Sequence, residues 1–117
     1  MQQPTNRAVT ETPPQPALAG LIAEAEAATG MLPPFDRCVQ LRDALVPAIG
    51  RLADQVRREQ GYLANHTAGW RRCERALLQA QGALCGDLGR GLKSAADHVS
   101  VLGEAARALD DCIRATH

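Results

Sequence analysis

Aromatic residues are nearly missing from this chain: Phe35, Tyr62 and Trp70 are the three among 117 residues. A core without rings must be built from Leu, Ala, Val and Ile, which favours close helix–helix packing over a deep aromatic-lined pocket. Charge of one sign is missing too, because thirteen basic residues balance thirteen acidic ones. Nucleic-acid binding draws most of its affinity from phosphate neutralisation, so the balance argues against it. Long apolar runs are absent, and none approaches the roughly 20 residues that span a bilayer. The start of the chain, Met1 to Thr12, is polar and lacks a secretory apolar segment. These features together predict a soluble cytoplasmic protein with no nucleic-acid and no membrane partner. Cys38, Cys73, Cys85 and Cys112 make no Cys-x-x-Cys pair. That spacing excludes zinc knuckles and redox motifs of that type, and the expectation is buried, reduced thiols.

What is present is helical periodicity. Leu88, Leu92, Ala95, Val99, Leu102, Ala106, Leu109 and Ile113 recur at steps of four and three, which places them on one side of a helix. Leu41, Leu45, Ile49, Leu52 and Val56 form a second stripe, and Trp70, Cys73, Leu77, Ala80 and Leu84 a third. Leu18, Leu21, Ile22 and Ala25 make a shorter face. No segment alternates at period two, so no sheet is expected. Residues 1–15, with Pro4, Pro13 and Pro14, read as a disordered tail. Residues 16–117 read as a single all-α domain, an up-down bundle of about four helices.

Helix 1 is expected over 16–28, from Pro16 to a stop at Gly30. Met31-Leu32-Pro33-Pro34-Phe35 is a rigid connector whose apolar side chains are expected to cap the end of the core. Asp36 looks like the N-cap of helix 2, which Pro47 should kink. Gly61 marks its end, and Thr67 is the N-cap expected for helix 3. Gly82, Gly86, Gly89 and Gly91 cluster where the apolar phase changes. Gly86-Asp87 is read as a stop followed by an N-cap. The alternative is one continuous helix over 68–114, about 70 Å long at 1.5 Å per residue.

Candidate chemistry is sparse. Asp97-His98 could serve as a carboxylate–imidazole base, although adjacent helical residues point about 100° apart. His66 and His117 do not add a ligand spacing, so no metal site and no cofactor is expected. Arg71, Arg72 and Arg75, with Arg57 and Arg58 before them, form a basic cluster read as a solvated face. Asp43, Asp54 and Glu59 are acids of helix 2 that could line a crevice. A small bundle with more apolar helix face than its core hides should bury the excess in an interface. Trp70, Leu77, Leu92, Val99, Leu102 and Leu109 are the positions expected to meet a protein partner or a second copy.

The segment Leu88-Gly89-Arg90-Gly91-Leu92-Lys93-Ser94-Ala95-Ala96-Asp97-His98-Val99-Ser100-Val101-Leu102 resembles the final helix of small streptomycete proteins of unknown function, labelled natural-product biosynthesis proteins. That helix typically reads Leu-Ala-Arg-x-Leu-x-x-Leu-x-Asp-His-Tyr-x-x-Leu. Leu18 to Ala28 resembles their first helix, Met31-Leu32-Pro33 their Leu-Pro connector, and Leu41-Arg42 the opening of their second helix. Gly89 and Gly91 depart from the pattern, as does Val99 after His98. The family has no agreed catalytic residues to carry over. The resemblance implies an actinobacterial cytoplasm and a place in a secondary-metabolite gene cluster. In that setting the expected role is an accessory subunit binding and stabilising a larger biosynthetic enzyme, for example an aziridine-forming one of the azinomycin type. The alternatives are a small helical enzyme working through Asp97 and His98, and a self-associating regulator.

Overall fold

A computed structural model describes residues 15–115 as four helices with no strand among them. They are α1 (Gln15–Glu26), α2 (Phe35–Gly61), α3 (Ala68–Leu84) and α4 (Leu92–Ala115). The expected tail over 1–15 falls outside the described residues, except that position 15 already belongs to α1. No described helix is long and apolar enough to cross a membrane.

The ends of the helices follow from local chemistry. α1 stops at Glu26, two residues before the expected boundary, and tightens through turn bonds from Gly30 and Met31 to the Ala27 carbonyl. Pro33 and Pro34 prevent any continuation. Asp36 is not the N-cap of α2: Pro34 is, its carbonyl accepting from the amides of Arg37 and Cys38. Asp36 lies in the first turn, where a carboxylate still complements the helix dipole. α2 runs through Pro47, whose ring is exposed. Thr67 caps α3 as expected, its hydroxyl accepting from the Trp70 amide at 3.3 Å.

Between α3 and α4 the chain breaks, and the continuous-helix alternative is excluded. Gly89 takes φ +69°, a left-handed conformation that glycine adopts without steric cost. A Cβ there would also lie 2.5 Å from the Ser94 hydroxyl. Asp87 is not the cap of α4: its carboxylate accepts from the Gly89 amide at 3.0 Å and holds the turn. The α4 terminus is closed by Ser94, which accepts from the Gly91 amide at 3.3 Å. Leu88, although outside any helix, folds back into the core at 6% exposure.

Cross-links between elements fix the topology. Glu24 pairs with Arg37, Gln60 with Glu74, and Glu26 with Arg107, so α1–α2, α2–α3 and α1–α4 run antiparallel. α4 packs on all three other helices, whereas α1 and α3 do not touch. The result is a flattened bundle with α2 and α4 on its short diagonal and α1 and α3 to either side. Burial on α4 therefore spreads around most of the helix: Ala95, Ala96, Val99, Leu102, Gly103, Ala105, Ala106, Leu109 and Cys112 are all inside.

Small residues set the spacing. A Cβ built on Gly103 would lie 2.8 Å from the Ala25 methyl and 3.0 Å from the Glu26 amide nitrogen, so α1 touches α4 backbone to backbone. Gly103→Ala should gain about 1 kcal/mol of helix propensity. The methyl nevertheless has to push α1 away, and overpacking of this kind costs about 1–3 kcal/mol. The expected outcome is net destabilisation, read as a lower urea midpoint with an unchanged slope.

Candidate functional site

The α1–α2 connector and the α3–α4 connector lie at the same end of the bundle. Phe35 and Arg42, from the start of α2, line one groove together with Asp87, Leu88, Gly89 and Arg90. Beside it, Glu24, Ala27, Met31, Leu32, Pro33 and Pro34 line a second groove of about 350 Å³. Large apolar side chains collect around this end. Met31 is 83% exposed, Leu32 48% and Phe35 40%, joined by Leu84 at the close of α3 and Leu92 at the start of α4. The expectation that Met31, Leu32 and Phe35 cap the core is thus corrected. Two successive prolines hold this stretch extended, and its side chains project outward instead of folding over the helix ends.

Ion pairs anchor the element that presents them. Arg37 bonds both carboxylate oxygens of Glu24 at 2.7 Å, and Arg107 bonds both oxygens of Glu26 at 2.8 and 3.1 Å. The Arg37 hydrogen bonds pull the Glu24 carboxyl below its ordinary value. Exposed pairs of this kind add little to stability by themselves. Their two-pronged geometry, however, fixes the last turn of α1 against both α2 and α4, and with it the direction in which Met31 leaves.

Asp97 and His98 lie in separate surroundings. Asp97 is exposed and faces Lys93, 3.5 Å away one turn earlier. His98 is buried beneath the α3–α4 connector, with Nδ1 only 3.1 Å from where a Cβ on Gly86 would sit. Burial lowers the His98 pKa, Asp87 opposes that shift, and Arg42 reinforces it. Asp87 of the connector is the carboxylate whose charge favours protonation of the imidazole.

The six expected partner positions divide. Val99, Leu102 and Leu109 are completely buried against helices of their own chain, which corrects their assignment to a partner surface. Leu77 is half-buried and packed on the core. Trp70 is half-buried with its ring 5.0 Å from that of His66. Leu92 alone among them is a large apolar side chain in solvent. The helix 2 acids do not converge either: Asp43 pairs with Arg42 and Asp54 with Arg57. Arg71, Arg72 and Arg75 are exposed, as a solvated face requires. Among the described residues no three His, Cys, Asp or Glu side chains gather in a way that could hold a metal. Cys38, Cys73 and Cys112 are buried as expected, but Cys85, the cap residue of α3, is exposed.

Periodicity pointed to the stripes and so missed Met31, Leu32 and Phe35, while Leu84 was read as a member of the third stripe. The available signal was the proline pair, which marks apolar residues that have no helix face to join. Comparison with protein-family models, characterised proteins and solved structures yields no match for the chain.

The His98 environment generates a pH dependence. The native state favours neutral imidazole, while the unfolded chain takes up a proton near pH 6.5. This contribution to stability is therefore present above pH 6.5 and declines as pH falls towards the lowered native value. Denaturation midpoints should rise from pH 5 to about 7 and then level off. His98→Asn should flatten that slope.

Proposed function

We propose that this protein is a non-catalytic accessory subunit that docks on a larger protein through its connector end. The observation that carries the reading is the gathering of Met31, Leu32, Phe35, Leu84 and Leu92 in solvent at one end of the bundle. Apolar side chains held on a rigid proline connector lose little entropy when they are covered, which suits a binding surface. At the α1–α2 connector the charges of Glu24–Arg37 and Glu26–Arg107 already satisfy each other. A complementary partner presents an apolar concave surface to Met31 and Leu32, with polar groups at its rim towards Asp87 and Arg90. The resemblance to natural-product biosynthesis proteins supplies the setting, with the partner being a biosynthetic enzyme. Self-association through the same end is the competing outcome. The reading through Asp97 and His98 gains no support, because the two side chains lie in separate surroundings.

Light-scattering mass separates these outcomes, with the chain measured alone and then co-expressed with each neighbouring gene product. A hetero-complex is expected. Met31→Asp together with Leu32→Asp should weaken it at least tenfold, the scale of losing about 1.4 kcal/mol at a hot spot, while circular dichroism stays unchanged. A monomer in every mixture, or a complex indifferent to both substitutions, overturns the reading. A homodimer dissolved by the same substitutions transfers the surface to self-association.

A further inference from the structure

Cys73 and Cys112 are separated by most of two helices and a connector, yet the fold places them side by side. Cys73 lies in the first half of α3 and Cys112 in the last turn of α4, and they are 1% and 3% exposed. The Cys112 Sγ donates to the carbonyl of Arg72, the residue before Cys73, at 3.5 Å. That contact seats the Cys112 sulfur against the backbone beside Cys73. The reason lies in the packing: α3 buries Cys73, Ala76, Ala80 and Ala83, a face of small side chains that lets α4 come close. A disulfide needs Cα atoms roughly 4.4–6.8 Å apart, an approach that small facing side chains permit.

We propose that Cys73 and Cys112 form a dithiol site that thiol–disulfide exchange with a low-molecular-weight disulfide converts into an internal α3–α4 cross-link. The Cys112 thiolate attacks one sulfur of the small disulfide, the S–S bond breaks, and one small thiolate leaves. The Cys73 thiolate then attacks the Cys112 sulfur of the mixed disulfide and releases the second. Both cysteine protons end on the two departing thiols, so two protein thiols are oxidised and one small disulfide is reduced. Entry is at Cys112, which lines a surface groove with Arg72, Arg75, Gln79 and Asp111. Its place in the last turn of α4 lets fraying of that terminus expose the sulfur without opening the bundle. Burial raises the Cys112 pKa, Cys73 and Asp111 add to that shift, and Arg72 opposes it. Exchange is therefore slow at neutral pH, and the site responds to sustained oxidation.

The test uses the full chain carrying Cys85→Ser, which removes the exposed thiol and so prevents links between chains. The folded protein is incubated with oxidised glutathione, its remaining thiols are alkylated, and its peptides are mapped by mass. The expected result is a Cys73–Cys112 linked peptide with Cys38 still alkylated. Helical circular dichroism should be retained and Tm should rise, falling back on reduction. Adding Cys73→Ser should leave glutathione attached at Cys112. A folded chain that keeps both thiols free overturns the proposal, as does a stable glutathione adduct at Cys112 with Cys73 present, or a link that forms only in urea.

Discussion

The close approach of α4 to its three neighbours is the constraint on which the rest of the bundle depends. A chain with almost no aromatic residues cannot fill wide gaps between helices, so the helices must come together until alanine, glycine and cysteine suffice. Gly103 against Ala25 shows how near this brings two backbones. Ala95, Ala96, Ala105 and Ala106, each 0% exposed, continue the same logic around α4. Leu41, Leu45 and Ile49 of α2 then supply most of the volume, together with Val99, Leu102 and Leu109 of α4. Each such side chain contributes about 1.5–3 kcal/mol by leaving water. Using these residues inside the fold leaves Val46, Leu78 and Val101 as the large apolar side chains exposed on the helix flanks among the described residues.

A larger group of exposed apolar side chains gathers where α1, α2, α3 and α4 meet the two connectors. A connector of two prolines cannot turn its side chains inward on helical spacing, and Met31 and Leu32 remain outside. The second connector behaves differently, because Gly89, Ser94 and Asp87 bond it into a tight turn that returns Leu88 to the core. That turn also seats Gly86 on the His98 ring, which explains both the burial of the imidazole and the absence of room for a larger residue at 86. One end of the molecule thus combines a rigid apolar edge with a buried, neutral histidine. The opposite end carries Arg57 and Arg58 of α2, Arg71, Arg72 and Arg75 of α3, and the two cysteines Cys73 and Cys112.

Secondary structure was legible wherever the signal was local. The Leu41 to Val56 spacing needs nothing beyond its own helix to be recognised, and Thr67 acts as a cap through the amide three residues on. The all-α class follows from the same periodicity. Boundaries that depend on competition were less legible. Asp36 has the chemistry of a cap, but Pro34 already occupied that role, and Asp87 secures a turn instead of a helix. The choice between one long helix and two rested on whether Gly89 would adopt a positive φ, which glycine permits but does not impose.

The candidate surface was the least legible part. A stripe records that a residue prefers burial without saying whether its own chain or another covers it. Val99, Leu102 and Leu109 look no different in sequence from residues that would wait for a partner. By itself the sequence determined four amphipathic segments, their order, and a core of small side chains, because each of these depends on residues a few positions apart. Tertiary structure alone decided that α4 would be surrounded, that His98 would lie under Gly86, and that Cys73 would meet Cys112. Those outcomes depend on which faces meet across the bundle, and helix crossings join residues that no local spacing relates.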